Sequence, residues 1–241
     1  MLDFLMVLPT YNEKDAIAGT IAAADRQLSK MFRNYKIVVV DESSPDGTSQ
    51  AVHKLQRIYK RLDLISGRQP ASRGLDVRYA MSKYDSKLYF FMDADLKDSV
   101  PCITDAVRIQ KEGYDMVVGS KYLKGSVLRR PPIRNFVSRP YNATIRFLFS
   151  DGILDHQCGF KLFTKKAFRV VNGKSRERHW LWDTEAILIA KLNELKLGQV
   201  RVNIIEKRKK PASLYWVANL CFLFAKGIFS FTYRFKIMRD Y

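Results

Sequence analysis

Leu88-Tyr89-Phe90-Phe91-Met92-Asp93-Ala94-Asp95 is a run of five apolar residues that ends in two carboxylates one residue apart. The run predicts a strand that is buried on both faces. In an open α/β sheet, ligands bind just past the carboxyl ends of the strands, so Asp93 and Asp95 lie where a bound molecule is expected. Two such carboxylates suit a hard divalent cation whose coordination is completed by substrate phosphates. The alternative is a polar turn before the next helix, with Asp98 or Ser99 as its N-cap.

The chain on either side of this run alternates predicted strands and helices. Further strands are predicted at 2–8, 35–40, 62–65 and 115–118. Helices are predicted at 16–31, in the segment that contains Val52, Ile58 and Tyr59, in the segment that follows the loop 67–74 and reaches Ala80, and at 100–111. Several of these strands end in polar or acidic loops. The order predicts an α/β fold of Rossmann-like type, with a mainly parallel sheet and helices on both faces.

A change of pattern follows Gly119. Residues 121–141 contain six basic residues around Pro131-Pro132 and predict a basic loop or lid, the alternative being a solvated surface loop. Beyond it we expect a helix at 141–149, a strand at 160–163, a helix at 184–195 and a strand at 199–205. Residues 1–206 are therefore predicted to form one sheet-centred domain.

The composition limits the classes of partner. The formal net charge is +18, which favours a polyanion: nucleic acid, an anionic membrane surface or a phosphorylated substrate. The three widely spaced cysteines predict neither a disulfide framework nor a zinc site, which indicates a reducing compartment. The first residues lack the basic segment of a secretory signal, so we expect the protein on the cytosolic side.

Residues 207–241 differ from the rest. Lys207-Arg208-Lys209-Lys210 precedes a nearly continuous apolar segment, 214–235, in which Lys226 and Arg234 belong to a narrow polar stripe. A charge at the centre argues against a simple membrane crossing. We expect an amphipathic helix in the membrane interface, with Trp216, Leu220, Leu223, Phe224 and Phe231 on its apolar face. The alternative is a helix packed on its own domain.

Several motifs together resemble a known family. Leu8-Pro9-Thr10-Tyr11-Asn12-Glu13, the segment 39–48 (VVDESSPDGT) and Met92-Asp93-Ala94-Asp95 resemble family 2 glycosyltransferases of the GT-A fold in order and spacing. The segments 118–122 (VGSKY) and 155–161 (DHQCGFK) look most like those of dolichyl- or polyprenyl-phosphate glucosyl- and mannosyltransferases. The resemblance covers roughly residues 2–206.

The resemblance implies a donor site. It puts Pro9, Tyr11, Glu13 and Asp41 around the base and ribose of a nucleotide-diphosphate sugar of UDP-glucose or GDP-mannose type. Tyr11 offers a ring for a base, and Asp41 can accept from a ring N–H or a ribose hydroxyl. The same comparison puts Asp93 at the ribose and metal, and Asp95 at a Mg²⁺ or Mn²⁺ ion between the phosphates.

One position departs from the family pattern. Mannosyl members often have a glutamine as a further metal ligand where this chain has Lys97. An ammonium group cannot ligate a cation. Either the metal keeps an extra water molecule, or Lys97 neutralises part of the pyrophosphate charge.

The resemblance also implies an acceptor site for a lipid phosphate. Its candidate residues are Arg129, Arg130, Arg134, Arg139 and Gln157, with Arg134 first because an arginine follows the Pro-Pro pair in the family's acceptor loop. A phosphate oxygen would attack the anomeric carbon in line and invert it. Because the phosphate is already ionised at pH 7, positioning and charge neutralisation replace a general base.

Three alternatives remain at the level of sequence. A family 2 enzyme acting on a sugar hydroxyl would need a carboxylate base, for which Asp155, Asp183 or Glu185 could serve. A nucleic-acid-binding domain is disfavoured because acids at strand ends would repel phosphates. A noncatalytic membrane-surface scaffold would not explain those acids. The expected partners are thus the nucleotide sugar, a polyprenyl or dolichyl phosphate and a membrane surface, with a membrane partner subunit or a homo-oligomer left open.

Overall fold

The computed structural model describes residues 1–67, 72–130, 132–205 and 214–241. The strands in these ranges are β1 (Leu2–Thr10), β2 (Tyr35–Asp41), β3 (Leu62–Ser66), β4 (Ser86–Met92), β5 (Met116–Ser120), β6 (Val127–Arg129), β7 (Phe160–Thr164), β8 (Leu197–Arg201) and β9 (Asn203–Ile205). The helices are α1 (Lys14–Met31), α2 (Thr48–Gln56), α3 (Arg73–Ser82), α4 (Ile103–Lys111), α5 (Pro132–Phe149), α6 (Lys165–Lys174), α7 (Trp182–Leu192) and α8 (Leu214–Phe231). A 3₁₀ turn, Lys97–Cys102, precedes α4, and a π-helical turn, Thr232–Ile237, follows α8.

Seven strands form the central sheet in the order β3-β2-β1-β4-β7-β5-β8. All neighbouring pairs are parallel except those of β7, which is antiparallel to β4 and β5. This confirms the predicted mainly parallel α/β sheet. Because β7 runs the opposite way, its first residue lies at the edge where β4 and β5 end. The loop that leads into β7 therefore joins the edge where ligands are expected.

The predicted strand at Leu88 is confirmed as the centre of the core. Phe90 and Phe91, neighbours in β4, are both fully buried, because successive side chains of a strand point to opposite faces. Phe90 belongs to the core cluster that includes residues of α1 and α4, whereas Phe91 belongs to the cluster that includes residues of α3, α5, α7 and α8. Each fully buried side chain of this size contributes on the order of 1.5–3 kcal/mol to folding.

The elements after β5 differ most from the prediction. The basic stretch predicted as a loop or lid is helical from Pro132 onward, which is compatible with proline at a helix N-terminus. Helix α6 was not predicted, although the Thr164 hydroxyl accepts a hydrogen bond from the Ala167 backbone N–H (3.1 Å) and caps it. Helix α2 ends at Gln56, so Ile58 is exposed and does not extend the predicted apolar stripe.

Helix α8 packs on the domain. Phe224 stacks on Tyr141 of α5 with ring centroids 4.0 Å apart, and Phe231 and Phe235 are buried in the same core cluster. The assignment of Phe224 and Phe231 to a lipid-facing surface is therefore corrected: these rings line the protein interior. The Trp216 side chain and Lys207–Lys210 lie outside the described residues, and the domain boundary at residue 206 stays a prediction.

Within the described ranges, no helix combines the length and the apolar character that a transmembrane span requires.

Candidate active site

The ends of four parallel strands and the start of β7 meet at one edge of the sheet. Thr10 at the end of β1 is paired with Asp41 at the end of β2, and Met92 at the end of β4 is paired with Phe160 at the start of β7. The predicted acids therefore lie along this edge, next to the loop that precedes β7.

Asp93 is held in place by the backbone of that loop. Its N–H donates to the Gly159 carbonyl (2.9 Å), and its carboxylate lies over the Gly159 Cα, where a Cβ would collide with it. Position 159 must therefore be glycine for the Asp93 side chain to take this place. The following turn is fixed by Thr20 of α1, whose hydroxyl donates to the Ala94 carbonyl (2.6 Å).

A buried ion network extends inward from Asp93. The Arg73 guanidinium, at the start of α3, pairs with Asp93 and with Asp183 of α7. Asp183 also pairs with the Lys161 ammonium of β7 (2.6 Å), which is fully buried and donates to the Cys158 carbonyl (2.7 Å). Burial lowers the pKa of Arg73, but Asp183 and Asp93 outweigh this effect and raise it, so Arg73 stays charged.

Sequence reasoning missed Arg73, Lys161 and the link to Asp183. Arg73 is 20 residues from Asp93 and 110 from Asp183. The only local sign was a lysine at position 161 inside an otherwise apolar strand, since a buried charge requires a partner. Trp180, which is exposed and lies over the Arg73 guanidinium at 5.2 Å, was also missed.

Asp95 differs from Asp93 in its surroundings. Its carboxylate is exposed and forms no hydrogen bond or ion pair with the part of the chain that the structure describes. Lys97 is also exposed, and its side chain lies along α1, where a Cβ on Gly19 would be 3.3 Å from the Lys97 Nζ. The predicted metal-binding acid is thus available to a ligand.

Asp41 uses its hydrogen-bonding capacity within its own loop. One carboxylate oxygen accepts from the hydroxyls of Thr10 (3.2 Å) and Ser44, and the other from the Ser49 hydroxyl and the Ser44 N–H (3.3 Å). A carboxylate has about four acceptor positions, and three are filled by Ser44 and Ser49. The single hydrogen of the Thr10 hydroxyl is shared with the Val40 carbonyl, which is also 3.2 Å away. In this conformation Asp41 mainly shapes the loop.

The other predicted donor residues lie around this loop. Tyr11 is 54% exposed and its ring is accessible, whereas Pro9 is buried inside β1 opposite Val40. The Glu13 N–H donates to the Thr48 hydroxyl (3.0 Å), which joins the first loop to α2. The structure therefore brings Tyr11 and Glu13 close to the Asp41 loop.

Glu42 is an acid that the sequence analysis did not single out. Its backbone N–H donates to the Thr10 carbonyl (2.9 Å), so it follows directly on the strand end. Burial, reinforced by the charge of Asp76 in α3, raises the pKa of Glu42 to about 7. The acid-acid dipeptide after β2 was the available signal.

The predicted acceptor side begins at the end of β5. Lys121 is buried, and its Nζ pairs with the Asp155 carboxylate (2.5 Å), which also accepts from the Lys121 N–H (3.3 Å). The second oxygen of Asp155 is buried and has no hydrogen-bond partner among the described residues. Lys121 lies in the segment 118–122 that resembles the family, but it was not predicted as a site residue.

Next to Lys121 lies a hydroxyl and guanidinium cluster. The Tyr122 hydroxyl contacts the Ser138 hydroxyl (2.6 Å), and Arg130 donates to Ser138 (2.7 Å), Tyr122 (3.3 Å) and Asn135 (2.6 Å). Of the other predicted acceptor arginines, Arg139 lies over the Tyr122 ring at 5.7 Å and Arg129 is exposed on β6. The Arg134 side chain lies outside the described residues.

A cavity of about 520 Å³ opens beside this cluster. Among the described residues, its lining contains three basic side chains and no acid: Lys121, Tyr122, Leu128, Arg139, Asn142, Ala143, Arg146 and Leu154. Such a lining suits an anion.

The predicted donor and acceptor sides meet around the loop before β7. Burial raises the pKa of the Cys158 thiol, and Asp155, Lys121, Lys161 and Asp93 are all close enough to affect it. The neighbouring Gln157, a predicted acceptor residue, donates to the Thr184 hydroxyl (2.7 Å). The acids of β4 and the basic cavity of β5 and α5 thus flank one loop.

The fold and this edge define the class of protein: a GT-A type α/β domain whose Asp-x-Asp pair follows the central strand. Residues 6–171 match the sequence family described as Glycosyl transferase family 2, and the chain belongs to that family. The resemblance drawn from the motifs is thereby confirmed.

Curated relatives agree with this membership. The chain is 28% identical to glycosyltransferase AglD of Haloferax volcanii over 203 residues, which are 82% of this chain and 32% of that protein. It is 28% identical to the dolichyl-phosphate beta-glucosyltransferase ALG5C of Trichomonas vaginalis (81% of this chain, 62% of that protein) and 26% identical to the Mus musculus dolichyl-phosphate beta-glucosyltransferase (88% and 70%). The chain thus spans about a third of the first relative's length and about three fifths of the second's.

Solved structures share the fold. Glucosyl-3-phosphoglycerate synthase from Mycobacterium tuberculosis, in complex with Mn²⁺, UDP and phosphoglyceric acid, superposes with a TM-score of 0.74 at 15% identity, over 95% of this chain and 78% of that chain. The same enzyme with Mn²⁺, UDP-glucose and phosphoglyceric acid gives a TM-score of 0.73 at 16% identity, over 95% and 79%.

Proposed function

We propose that this protein transfers a hexose, with inversion, from a nucleotide-diphosphate sugar of UDP-glucose or GDP-mannose type to a dolichyl or polyprenyl phosphate. Two curated relatives are named dolichyl-phosphate beta-glucosyltransferase, which supports this acceptor and favours glucose. Solved relatives by fold that hold UDP-glucose support a uridine donor.

The observation that carries the proposal is the pairing of two unlike surfaces around one loop. On one side, Asp93 and Asp95 offer carboxylates to the donor. On the other, Lys121, Arg139 and Arg146 line a cavity to which no described acid contributes. We expect the donor diphosphate at the acids and the acceptor phosphate in the cavity, with Arg129, Arg130, Arg134 and Gln157 as further candidate acceptor contacts.

A divalent cation, Mg²⁺ or Mn²⁺, fits the donor side. Asp95 is exposed and uncommitted among the described residues, and Gly159 leaves the space in which the Asp93 carboxylate lies. Asp95 would hold the ion, and Asp93, oriented by Arg73, would lie next to it. When bound, such an ion stabilises negative charge on the departing diphosphate.

The buried acids favour a phosphate acceptor over a hydroxyl acceptor. A hydroxyl requires a carboxylate base, but Asp183 and Glu185 use both carboxylate oxygens, and the one unpaired oxygen of Asp155 is buried. Asp155 pairs with Lys121, Asp183 pairs with Arg73 and Lys161, and Glu185 pairs with Arg234 and accepts from the Arg176 and Glu177 N–H groups. A phosphate needs no base because it is ionised at pH 7, so the chain's residues have only to position it and neutralise its charge.

The acceptor sets the proposed location. A polyprenyl phosphate is embedded in a bilayer, so we propose that the protein works at a membrane surface, on its cytoplasmic face. A membrane partner subunit or a second copy of the chain would be compatible with this arrangement.

The proposal is tested by incubating the protein with Mg²⁺ or Mn²⁺, a panel of UDP- and GDP-sugars and a short-chain polyprenyl phosphate, and by following glycolipid formation. We expect one donor to give an inverted glycosyl phosphate. Transfer only to sugar hydroxyls would support the alternative acceptor class and overturn the lipid-phosphate proposal.

Asp95→Ala is the matched inactive variant for this assay. Because Asp95 is exposed, its removal should leave the midpoint of thermal unfolding unchanged and lower turnover at saturating donor by at least about 10²-fold. Near wild-type turnover with metal present would rule out Asp95 as the metal-binding acid.

A further inference from the structure

Helix α5 has an apolar face that points away from the domain. Phe136 and Phe147 are 76% and 84% exposed, and Ile133 lies with them at helical spacing. The opposite side of the helix, with Tyr141 and Ile145, is buried in the core. A surface helix normally presents polar residues to water, so two exposed phenylalanines on one face call for a partner.

Helix α8 has the same arrangement. Phe222 and Phe229 are 72% and 75% exposed, whereas Phe224 and Phe231, on the other side of the helix, are buried. The sequence predicted an apolar, amphipathic helix here, but the exposed row consists of different residues from those expected to face lipid.

The two rows belong to one surface. The ring centroids of Tyr141 and Phe224 are 4.0 Å apart. Eight residues further along α5, the ring centroid of Phe149 is 6.3 Å from that of Phe235. The helices therefore run side by side in the same direction. Since both bury their inner sides in one core cluster, both exposed rows face away from that core. We call the surface formed by Ile133, Phe136, Phe147, Phe222 and Phe229 the α5–α8 face.

The two segments that carry the α5–α8 face have an excess of positive charge. Residues 116–150, which contain α5, hold seven Lys or Arg and no Asp or Glu, and residues 207–239, which contain α8, hold eight and none. Among these, Arg139 and Lys226 are exposed on the two helices. Apolar rings flanked by an excess of positive charge are complementary to the interface of an anionic bilayer. A second copy of the same face would bring like charges together, which disfavours a homodimer through it.

We propose that the α5–α8 face docks onto an anionic lipid bilayer. The proposal deepens the proposed function and rests on it only for the link to catalysis: Arg139 and Arg146 of α5 line the acceptor cavity, so docking through α5 would bring that cavity to the headgroups. Phenylalanine rings would enter the boundary between headgroups and acyl chains, and Lys226 would remain at the headgroup level.

The test is cosedimentation of the full chain with vesicles of phosphatidylcholine alone or with 30% phosphatidylglycerol, without donor or acceptor. The variants are Phe136→Ser with Phe147→Ser, and Phe222→Ser with Phe229→Ser. The control is Ile58→Ser, because Ile58 is 70% exposed but lies after α2, outside this face. We expect strong binding to the anionic vesicles, at least tenfold weaker partitioning of each double variant, and no change for the control.

Three results would overturn the proposal. The double variants could bind as the wild type does, the control could lose binding equally, or light scattering without lipid could show a wild-type dimer that the double variants abolish. Transfer to a water-soluble short-chain acceptor separates this proposal from the proposed function, because the double variants should keep that activity. Vesicle binding without any transfer by the wild type would defeat the proposed function alone.

Discussion

At the scale of single residues, Arg73 connects Asp93, the proposed donor-site acid, to the interior. Its side chain is 7% exposed and pairs with Asp93 and with Asp183, whose side chain is 3% exposed. Removing one member of a buried ion pair leaves an uncompensated charge, which costs more than the pair itself contributes. Arg73 is therefore a positioning residue whose loss should affect folding and the donor site together.

We predict that Arg73→Gln lowers the free energy of unfolding by about 3–5 kcal/mol, because Asp183 and Asp93 lose their shared cation. Urea denaturation measures this value. Arg73→Lys should recover only part of it, since a single ammonium cannot reach both carboxylates in the same way. Lys87→Gln is the control: Lys87 is 59% exposed in its pair with Asp3, so its loss should change stability by about 1 kcal/mol or less. Equal effects at both positions would contradict the network.

Glu42 gives a prediction about pH. Its pKa in the folded protein is raised to about 7 by burial and by Asp76, above the ordinary 4.5, so the folded state binds the proton more tightly than the unfolded state. Stability without metal or nucleotide should therefore fall as pH rises from 4.5 through 7. When the free energy of unfolding is measured from pH 4 to 8 with EDTA, Glu42→Gln should show a smaller decrease with rising pH than the wild type. Glu112→Gln, on the surface, should not; an unchanged slope in Glu42→Gln would refute the assignment.

At the scale of elements, sequence patterns predicted the strands of the sheet more accurately than they predicted the helices that follow β5. The apolar runs of β1, β2 and β4 have one explanation, burial in a sheet between two layers of helices. The sequence Pro131-Pro132 has two explanations, a loop or the N-terminus of a helix. Only the packing of Tyr141 and Ile145 on the core decides between them. The apolar content of α8 could not distinguish lipid from protein, because both bury the same rings.

Helix α8 provides a prediction with its own internal control. Phe231 is 1% exposed and packs in the core, so Phe231→Ala should cost about 3–5 kcal/mol in the free energy of unfolding. Phe229, two residues away and 75% exposed, should change it by no more than about 0.5 kcal/mol as Phe229→Ala. Equal values would mean that α8 is not part of the folded domain. By the same reasoning, deletion of residues 212–241 should destabilise the domain and not merely release it from lipid.

At the scale of the whole molecule, the positions of some site residues could be predicted from the sequence, whereas their ion-pair partners could not. Asp93 and Asp95 were found because they directly follow a buried strand, and their neighbourhood at the sheet edge follows from parallel topology. The partnerships of Asp41 with Ser44 and Ser49 are local but depend on loop geometry. The pairs Arg73–Asp183 and Lys121–Asp155 join distant segments, and no local pattern reports which cation a buried acid will meet.

The distribution of charge leads to the last prediction. Vesicle binding through the α5–α8 face should depend on exposed basic residues, each contributing about 1 kcal/mol near an anionic surface. Salt should weaken this contribution strongly, since the Debye length falls from about 10 Å at 0.1 M to about 3 Å at 1 M. The proposed acceptor cavity shares the exposed Arg139 with this surface, but it also contains the buried Lys121, paired with Asp155, and buried charges are screened much less.

Raising NaCl from 0.05 to 0.5 M should therefore reduce partitioning onto anionic vesicles at least tenfold, whereas KM for a water-soluble polyprenyl phosphate analogue should change by less than about threefold. Lys226→Gln should lower vesicle partitioning at low salt and leave that KM unchanged, because Lys226 is exposed on α8 and does not line the cavity. Parallel losses in both measurements would show that membrane docking and acceptor binding use the same charges, so that the face and the cavity act as one site.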